Sequence, residues 1–242
     1  MELREMIYRR KSVRKYLSAP VDAGTLDKIR AFAAGIKPLY PEIRVQSHIV
    51  TQNQVRFYFP WKTPQLMAVY SEKKPGYLEN VGFMFQQLDL YLQSLGLGAC
   101  WLGLGKVREA VDLHVDEGME FVILLAFGYP DGDAAKKGSS QIRRKSLAEI
   151  ADREDPRLEP ARRAPSSTNS QPWQFFHREQ TIDAYCSQAG KLRHKLLGEM
   201  NKIDMGIALA HMYVENPDTF CFFREEDPPE YPDYGYIGSF TI

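Results

Sequence analysis

The sequence predicts an α+β or α/β protein in which sheet and helices pack in layers and the 242 residues fall into two similar halves, 1–145 and 146–242. Three observations carry this. Leu78, Val81, Phe85, Leu88, Leu92 and Leu95 recur at three- and four-residue steps, the period of a buried helix. The short apolar runs Gln65–Tyr70 and Phe121–Phe127, each bounded by turn residues, read as buried strands. Two stretches of the first half return in order in the second: Leu26-Asp27-Lys28-Ile29-Arg30 as Leu158-Glu159-Pro160-Ala161-Arg162, and Asn80–Phe85 as Asp204–Leu209. Strands interleaved with helices, repeated, argue for layered packing of a duplicated unit.

Taken in order, Glu2–Arg10 reads as a short helix around Met6 and Ile7, and Ser12–Pro20 as a polar, extended segment. Val21–Gly35 is a helix with Asp22 or Thr25 as N-cap and Gly35 as its stop. Arg44–Thr51 alternates as a strand, and Val55–Phe59 is expected to pair with it through a hairpin at Gln52–Gln54. Met84 and Tyr91 widen the apolar face of the long helix, so it is expected to be buried on more than one side; Gly96 and Gly98 end it. Lys106–His114 reads as a shorter helix, Met119–Tyr129 as containing a strand closed by a turn at Gly128–Pro130, and Asp131–Ser140 as an exposed loop. In the second half Arg157–Arg163 is helical, Trp173–His177 and Gln180–Tyr185 are strands, Ile203–Val214 is a second buried helix and Tyr236–Ile242 a last strand.

Composition narrows the function. Hydrophobic residues make up 44%, enough for a proper core. Lys+Arg and Asp+Glu are 31 each, which argues against a nucleic-acid binder working by bulk charge. The cysteines Cys100, Cys186 and Cys221 and the histidines show no metal-ligand spacing, so neither a zinc site nor a disulfide framework is expected. The start lacks the apolar core of a secretory signal, and no apolar run approaches the roughly 20 residues of a membrane span. The expectation is a soluble, cytoplasmic protein with a small-molecule substrate and neither nucleic acid nor membrane as partner.

Three segments carry chemistry. Arg10-Lys11-Ser12-Val13-Arg14 sets three cations and a hydroxyl within five residues. Extended, it alternates, with Arg10, Ser12 and Arg14 to one side and Lys11 to the other. Such a cluster suits a phosphate, bound by guanidinium forks, a lysine point charge and a short hydroxyl bond; a solvated basic stretch is the plain alternative. Ala164-Pro165-Ser166-Ser167-Thr168-Asn169-Ser170-Gln171-Pro172-Trp173 is a run of small polar residues fenced by prolines, a stiff loop rich in donors or an ordinary helix-to-strand connection. Gly96-Leu97-Gly98-Ala99-Cys100-Trp101-Leu102-Gly103-Leu104-Gly105 allows close backbone approach to a flat ligand, or simply caps a helix. It is not the dinucleotide fingerprint, because it follows a helix.

Together these segments resemble the FMN-dependent nitroreductase superfamily. The resemblance rests on Arg10–Arg14, on Ala164–Trp173, on the Gly-Leu-Gly-x-x-Trp stretch Gly96–Trp101, and on Phe127-Gly128-Tyr129-Pro130 followed by Arg143-Arg144-Lys145-Ser146-Leu147. The order departs from the usual one: the Pro-Ser-Ser loop comes after residue 160, and Ala33–Pro38 stands where it is usual. The chain therefore resembles the branch with two fused nitroreductase-like halves, the TM nitroreductase type, in which one chain mimics a dimer. The second half is expected to lack a basic segment of its own, leaving one complete site per chain; the oligomer would be a monomeric pseudo-dimer or a homodimer.

The resemblance implies a mixed or antiparallel sheet layered with helices, with FMN as cofactor and NAD(P)H as electron donor. The implied reaction passes hydride through FMN to a small flat acceptor, a nitroaromatic or quinone, by a ping-pong mechanism, with no catalytic side chain because the flavin carries the chemistry. Carried over by position, Arg10, Lys11, Ser12, Arg143 and Arg144 hold the phosphate and ribityl chain. Arg14 sits at the pyrimidine edge, and Gly103 and Leu104 bring backbone near N5. Pro165, Ser166, Ser167 and Asn169 line the remaining side. The alternative is a non-enzymatic flavin binder or sensor, and a third reading is a scaffold holding another phosphorylated ligand. His211 is expected to be a satisfied core histidine, Cys100 a buried small hydrophobe, and Tyr8 and Tyr16 packing residues. The acidic, aromatic stretch Asp227–Tyr236 either covers the site or packs as a loop.

Overall fold

The computed structural model describes residues 2–57, 62–132, 143–188 and 191–242, with backbone alone for 57 and 191–197. The chain divides into two compact units, Met1–Tyr77 with Gln87–Ile142, and Leu78–Gln86 with Arg143–Ile242.

The first unit opens with α1 (Leu3–Arg9) and α2 (Ala23–Ala34). Asp22 caps α2 by accepting from the Thr25 amide at 2.9 Å, and Gly35 closes it, both as the sequence predicts. The strands are β1 (Val45–Thr51), β2 (Val55–Phe57), β3 (Gln65–Glu72), β4 (Gly98–Leu102), β5 (Gly105–Val107) and β6 (Met119–Gly128), with α3 (Tyr77–Ser94) entering after β3. An antiparallel sheet runs β1-β3-β6-β4. Of its middle strands β3 is buried almost end to end and β6 from Ile123 to Gly128, and Val50, Leu66, Ala68, Leu102, Leu124 and Ala126 form its core. The α3 helix is buried on every side, so its polar residues need internal partners.

The second unit holds α4 (Leu147–Ile150), α5 (Glu159–Arg163), β7 (Trp173–His177), β8 (Ile182–Ser187), α6 (Lys191–Glu215), β9 (Cys221–Phe223) and β10 (Tyr234–Thr241). Its sheet is antiparallel in the order β7-β8-β10-β9. Each four-stranded sheet therefore places its strands, in chain order, as first, second, fourth and third, with the long helix between second and third. Within the second unit the start of α3 crosses α6 backbone to backbone. A Cβ at Gly82 would overlap the Ile203 carbonyl oxygen, and one at Gly206 would overlap the Glu79 carbonyl oxygen. Each glycine lies over the carbonyl three residues before the other, the reciprocity of a local two-fold contact.

Several expectations are corrected. Val55–Phe57 pairs with β5 rather than β1, because Gln52–Gln54 forms a 3-10 turn closed by a capping box instead of a tight hairpin. Lys106–His114 is not a helix: it contributes to β5 and then to turns, with Val107, Leu113 and Val115 packed on the sheet core. The glycine-rich segment contains the strand β4, and α6 starts well before Ile203. Residues 58–59 of the expected hairpin and 133–140 of the expected loop lie outside the described residues.

Candidate functional site

In the first unit the basic segment leaves α1 extended and docks on β4. The Val13 amide donates to the Ala99 carbonyl at 2.9 Å, and Ser12 bridges Ala99 in parallel. Gly98 makes this possible, since a Cβ there would come within 2.6 Å of Val13. Alternation does not set the exposure expected for the cations. Arg10 turns inward, 2% exposed, and its Nη1 meets Asp89 of α3 at 3.2 Å, while its buried Nε has no hydrogen-bond partner. Gln93, one helical turn on, donates to Asp89 and to the Lys11 carbonyl, both at 3.1 Å. Two polar residues of α3 thus clamp the start of the segment.

Arg14 is exposed beside Cys100, whose thiol burial pushes up, and Tyr16, whose hydroxyl donates to the Val13 carbonyl at 2.6 Å and is pushed up by the same cause. A thiol held protonated in this way is not a nucleophile, so Cys100 is the buried hydrophobe expected. Tyr16 packs as expected, whereas Tyr8 stands exposed. Gly103 and Leu104 form the bend after β4, with the Leu104 side chain 64% exposed.

In the second unit the Pro-Ser-Ser loop and the second basic segment are tied together. Thr168, Asn169 and Gln171 take positive φ of 52°, 56° and 47°. Left-handed backbone at non-glycine residues costs of order 1–3 kcal/mol each and persists only where the surroundings over-determine it. Here they do. The Asn169 side chain accepts from Arg144 and donates to the Arg143 carbonyl at 2.9 Å. The Lys145 amide and Nζ donate to Gln171 at 2.8 and 2.9 Å. Ser166 Oγ accepts from the Gln171 amide at 2.9 Å, and Arg144 also reaches the Arg163 carbonyl. From below, both oxygens of Asp204 accept from the Ser167 amide at 3.0 Å. Burial pushes the Asp204 carboxyl up to about 7 against these bonds. Pro165 is buried and Arg143 exposed.

The expected ligand residues therefore divide. Arg10, Arg144, Ser166, Ser167 and Asn169 hold the protein's own polar groups, whereas Arg14, Arg143 and Leu104 face outward. Within the first unit the donor set suits a phosphorylated ligand: an exposed Arg14, a half-buried hydroxyl at Ser12, and a buried Arg10 Nε left unsatisfied.

A family model described as "Putative TM nitroreductase" matches residues 2–216. The chain belongs to this nitroreductase family. It is an oxidoreductase of the nitroreductase type with the corresponding α+β fold. A solved Thermotoga maritima structure described as a "putative nitroreductase" is similar over 99% of this chain and 92% of its own, at 19% identity and a TM-score of 0.65. An FMN-dependent nitroreductase from Clostridium difficile is similar over 52% of this chain and 87% of its own, at 18% identity and TM-score 0.42. A Parabacteroides distasonis protein described as a "Putative NADH dehydrogenase/NAD(P)H nitroreductase" is similar over 61% and 95%, at 20% identity and TM-score 0.45. Curated proteins give no match.

Sequence reasoning missed how this nitroreductase backs its site. Asp89, Gln93, Asp204 and Gln171 hold the segments in place; for Asp89, Gln93 and Asp204 the signal was polarity on largely apolar helices, and Gln171 was one polar residue among many in its loop. It also missed that Arg143-Arg144-Lys145-Ser146, which opens the main stretch of the second compact unit, repeats Arg9-Arg10-Lys11-Ser12 residue for residue. His211 is a satisfied core histidine, its ring nitrogens 3.0 Å from Gln86 and 2.9 Å from the Pro160 carbonyl. His177, half-buried by residue but with its side chain 2% exposed, lies between Asp152 and Asp155 at 2.6 and 3.0 Å, an arrangement the sequence did not suggest. Of Asp227–Tyr236, residues 227–233 pack as a loop and 234–236 open β10: Tyr231 stacks on Phe176 at 3.8 Å and the Tyr185 hydroxyl donates to the Pro229 carbonyl. Among the described residues no helix is long and apolar enough to cross a membrane.

Proposed function

We propose that this nitroreductase binds FMN and reduces a small flat acceptor at the expense of NAD(P)H in the cytoplasm. The observation that carries the reading is the strained Pro-Ser-Ser loop held against a basic segment, a costly arrangement that a purely structural connection does not need. When bound, FMN supplies the redox chemistry, taking hydride from NAD(P)H and then reducing a nitroaromatic or quinone in turn, which gives ping-pong kinetics.

The chain's own residues bind and orient. Lys11, Ser12, Arg143 and Arg144 hold the phosphate and ribityl chain. Arg10, fixed on Asp89, adds its charge and sets the path of the segment. Arg14 offers a preorganised cation to the negative charge that reduction places on the flavin's pyrimidine edge. Gly103 and Leu104 lie against the ring with backbone and an exposed apolar side chain that excludes water, and Pro165, Ser166, Ser167 and Asn169 line the other side. No side chain acts as acid or base.

We also propose that the two halves arose by duplication, so that one chain does the work of a dimer. The shared strand order, the reciprocal glycine crossing and the repeated tetrapeptide support this. The test is an absorbance spectrum after FMN loading and desalting, followed by anaerobic NADH and NADPH. Retained flavin bands that bleach are expected. Bands that never bleach favour a flavin sensor, and no retained flavin rejects the cofactor.

A further inference from the structure

The Pro-Ser-Ser loop cannot hold its own shape. Three left-handed non-glycine residues lie within four positions, and the loop's own hydrogen bonds leave the Ser167 amide to be satisfied from outside. That partner is Asp204, 3% exposed on α6, with both oxygens 3.0 Å from the amide. Its Oδ2 also lies 3.3 Å from Ser170 Oγ, which reaches the Asn201 side chain at 3.2 Å. In the repeated first half the same place on α3 is taken by Asn80. An amide offers Ser167 one acceptor oxygen where the acid offers two, and unlike the acid it cannot ionise.

We infer that Asp204 is the positioning residue that holds the Pro-Ser-Ser loop in its ligand-ready form, and that its ionisation releases the loop. The loop half of this stands on geometry; the ligand half rests on the FMN reading. Among the described residues no cation is paired with the carboxyl. Ser167 and Ser170 face it from the loop, while the thiol of Cys186 on β8 feels Asp204 together with Glu79 of α3 and Lys202 of α6. Glu79 is itself pushed up by burial. The neutral acid accepts from the Ser167 amide and carries no charge to desolvate. The carboxylate is a buried charge, relieved only when water enters as the loop lifts.

The sign follows from linkage. Burial holds the carboxyl of the covered state well above that of a hydrated one, to about 7. Covering the acid therefore adds stability at low pH, and this is lost as pH rises through about 7. The loop is held on the acid side and loosens on the alkaline side.

The experiment uses full-length wild type, Asp204→Asn and Asp204→Ala. Two readouts are followed from about pH 5.5 to about pH 8.5: hydrogen exchange of peptides covering Ala164–Trp173 without cofactor, corrected for intrinsic rates, and FMN affinity by quenching of flavin fluorescence. In the wild type, loop protection and affinity are expected to fall as pH rises, with the dissociation constant about tenfold weaker at the alkaline end. Asp204→Asn keeps protection at every pH and lacks the wild type's fall in affinity. Asp204→Ala loses protection at every pH and binds at least about tenfold more weakly. Wild-type protection in a folded Asp204→Ala overturns the inference, as does an unchanged pH profile in Asp204→Asn, which decides the matter if the alanine variant does not fold. If no protein binds FMN but protection still follows pH in wild type alone, the FMN reading fails and the role of Asp204 stands.

Discussion

Arg9-Arg10-Lys11-Ser12 and Arg143-Arg144-Lys145-Ser146 are the same four residues in two conformational fates. After the first, the chain stays extended and docks Val13 over Gly98. After the second, it turns at once into α4, because Ser146 and Glu149 form a capping box: the Ser146 amide and hydroxyl reach Glu149 at 2.8 and 2.9 Å. Ser12 is followed by Val-Arg-Lys, with no acid at the third position and a β-branched residue at the first. The arginines diverge too. Arg10 is buried against a carboxylate, and Arg144 bonds a side-chain amide and a carbonyl while half-buried. A charged tetrapeptide carries its chemistry from place to place, but the following residues set its backbone and the nearest helix decides which charge is buried.

The largest expected effect tests that last point. Arg10→Ala strands the Asp89 charge in the interior and should cost about 3–5 kcal/mol, seen as a lowered urea midpoint. Replacing both partners with apolar residues should recover much of it. Arg144→Ala loses hydrogen bonds to neutral partners and should cost about 1 kcal/mol. Equal costs for the two arginines would refute the contrast.

Next in size is the glycine crossing. Gly206→Ala sets a methyl group against the Glu79 carbonyl and Gly82→Ala one against that of Ile203, so the helices must separate in either variant. Each should lose roughly 3 kcal/mol, the upper end for overpacking, because backbone cannot rotate away. Separation caused by the first methyl makes room for the second, so the double variant should cost less than the sum by thermal denaturation.

These contrasts also show what the sequence could and could not say. The α3 helix, the cap of α2 and the strand in Met119–Gly128 were legible, because period, cap chemistry and apolar runs are local signals. The β4 strand was hidden: its glycines read as punctuation, yet Gly98 is there to admit Val13 from a segment far away in sequence. Lys106–His114 misled as well: Lys106 and Val107 pair with β2, and the rest runs through turns that seat Leu113 on the sheet core. At the candidate site the cationic and Pro-Ser-Ser segments could be read from residue types. That Arg10 and Arg144 are bonded within the protein depended on Asp89 and Asn169, whose proximity no local pattern carries.

The smallest effect separates the two serines. Ser146→Ala removes one side of a capping box and should cost about 1 kcal/mol of stability. It should leave FMN binding unchanged at saturating protein stability. Ser12 caps nothing, so Ser12→Ala should change stability by less than about 0.5 kcal/mol. As a proposed phosphate ligand, however, it should weaken FMN binding by about tenfold, the loss of one hydrogen bond to a charged group. Urea midpoints and flavin titrations on the two variants thus form a crossed pair. If Ser12→Ala loses stability and keeps its affinity, the first tetrapeptide is scaffold like the second, and the phosphate grip must be sought among Lys11, Arg14 and Arg143.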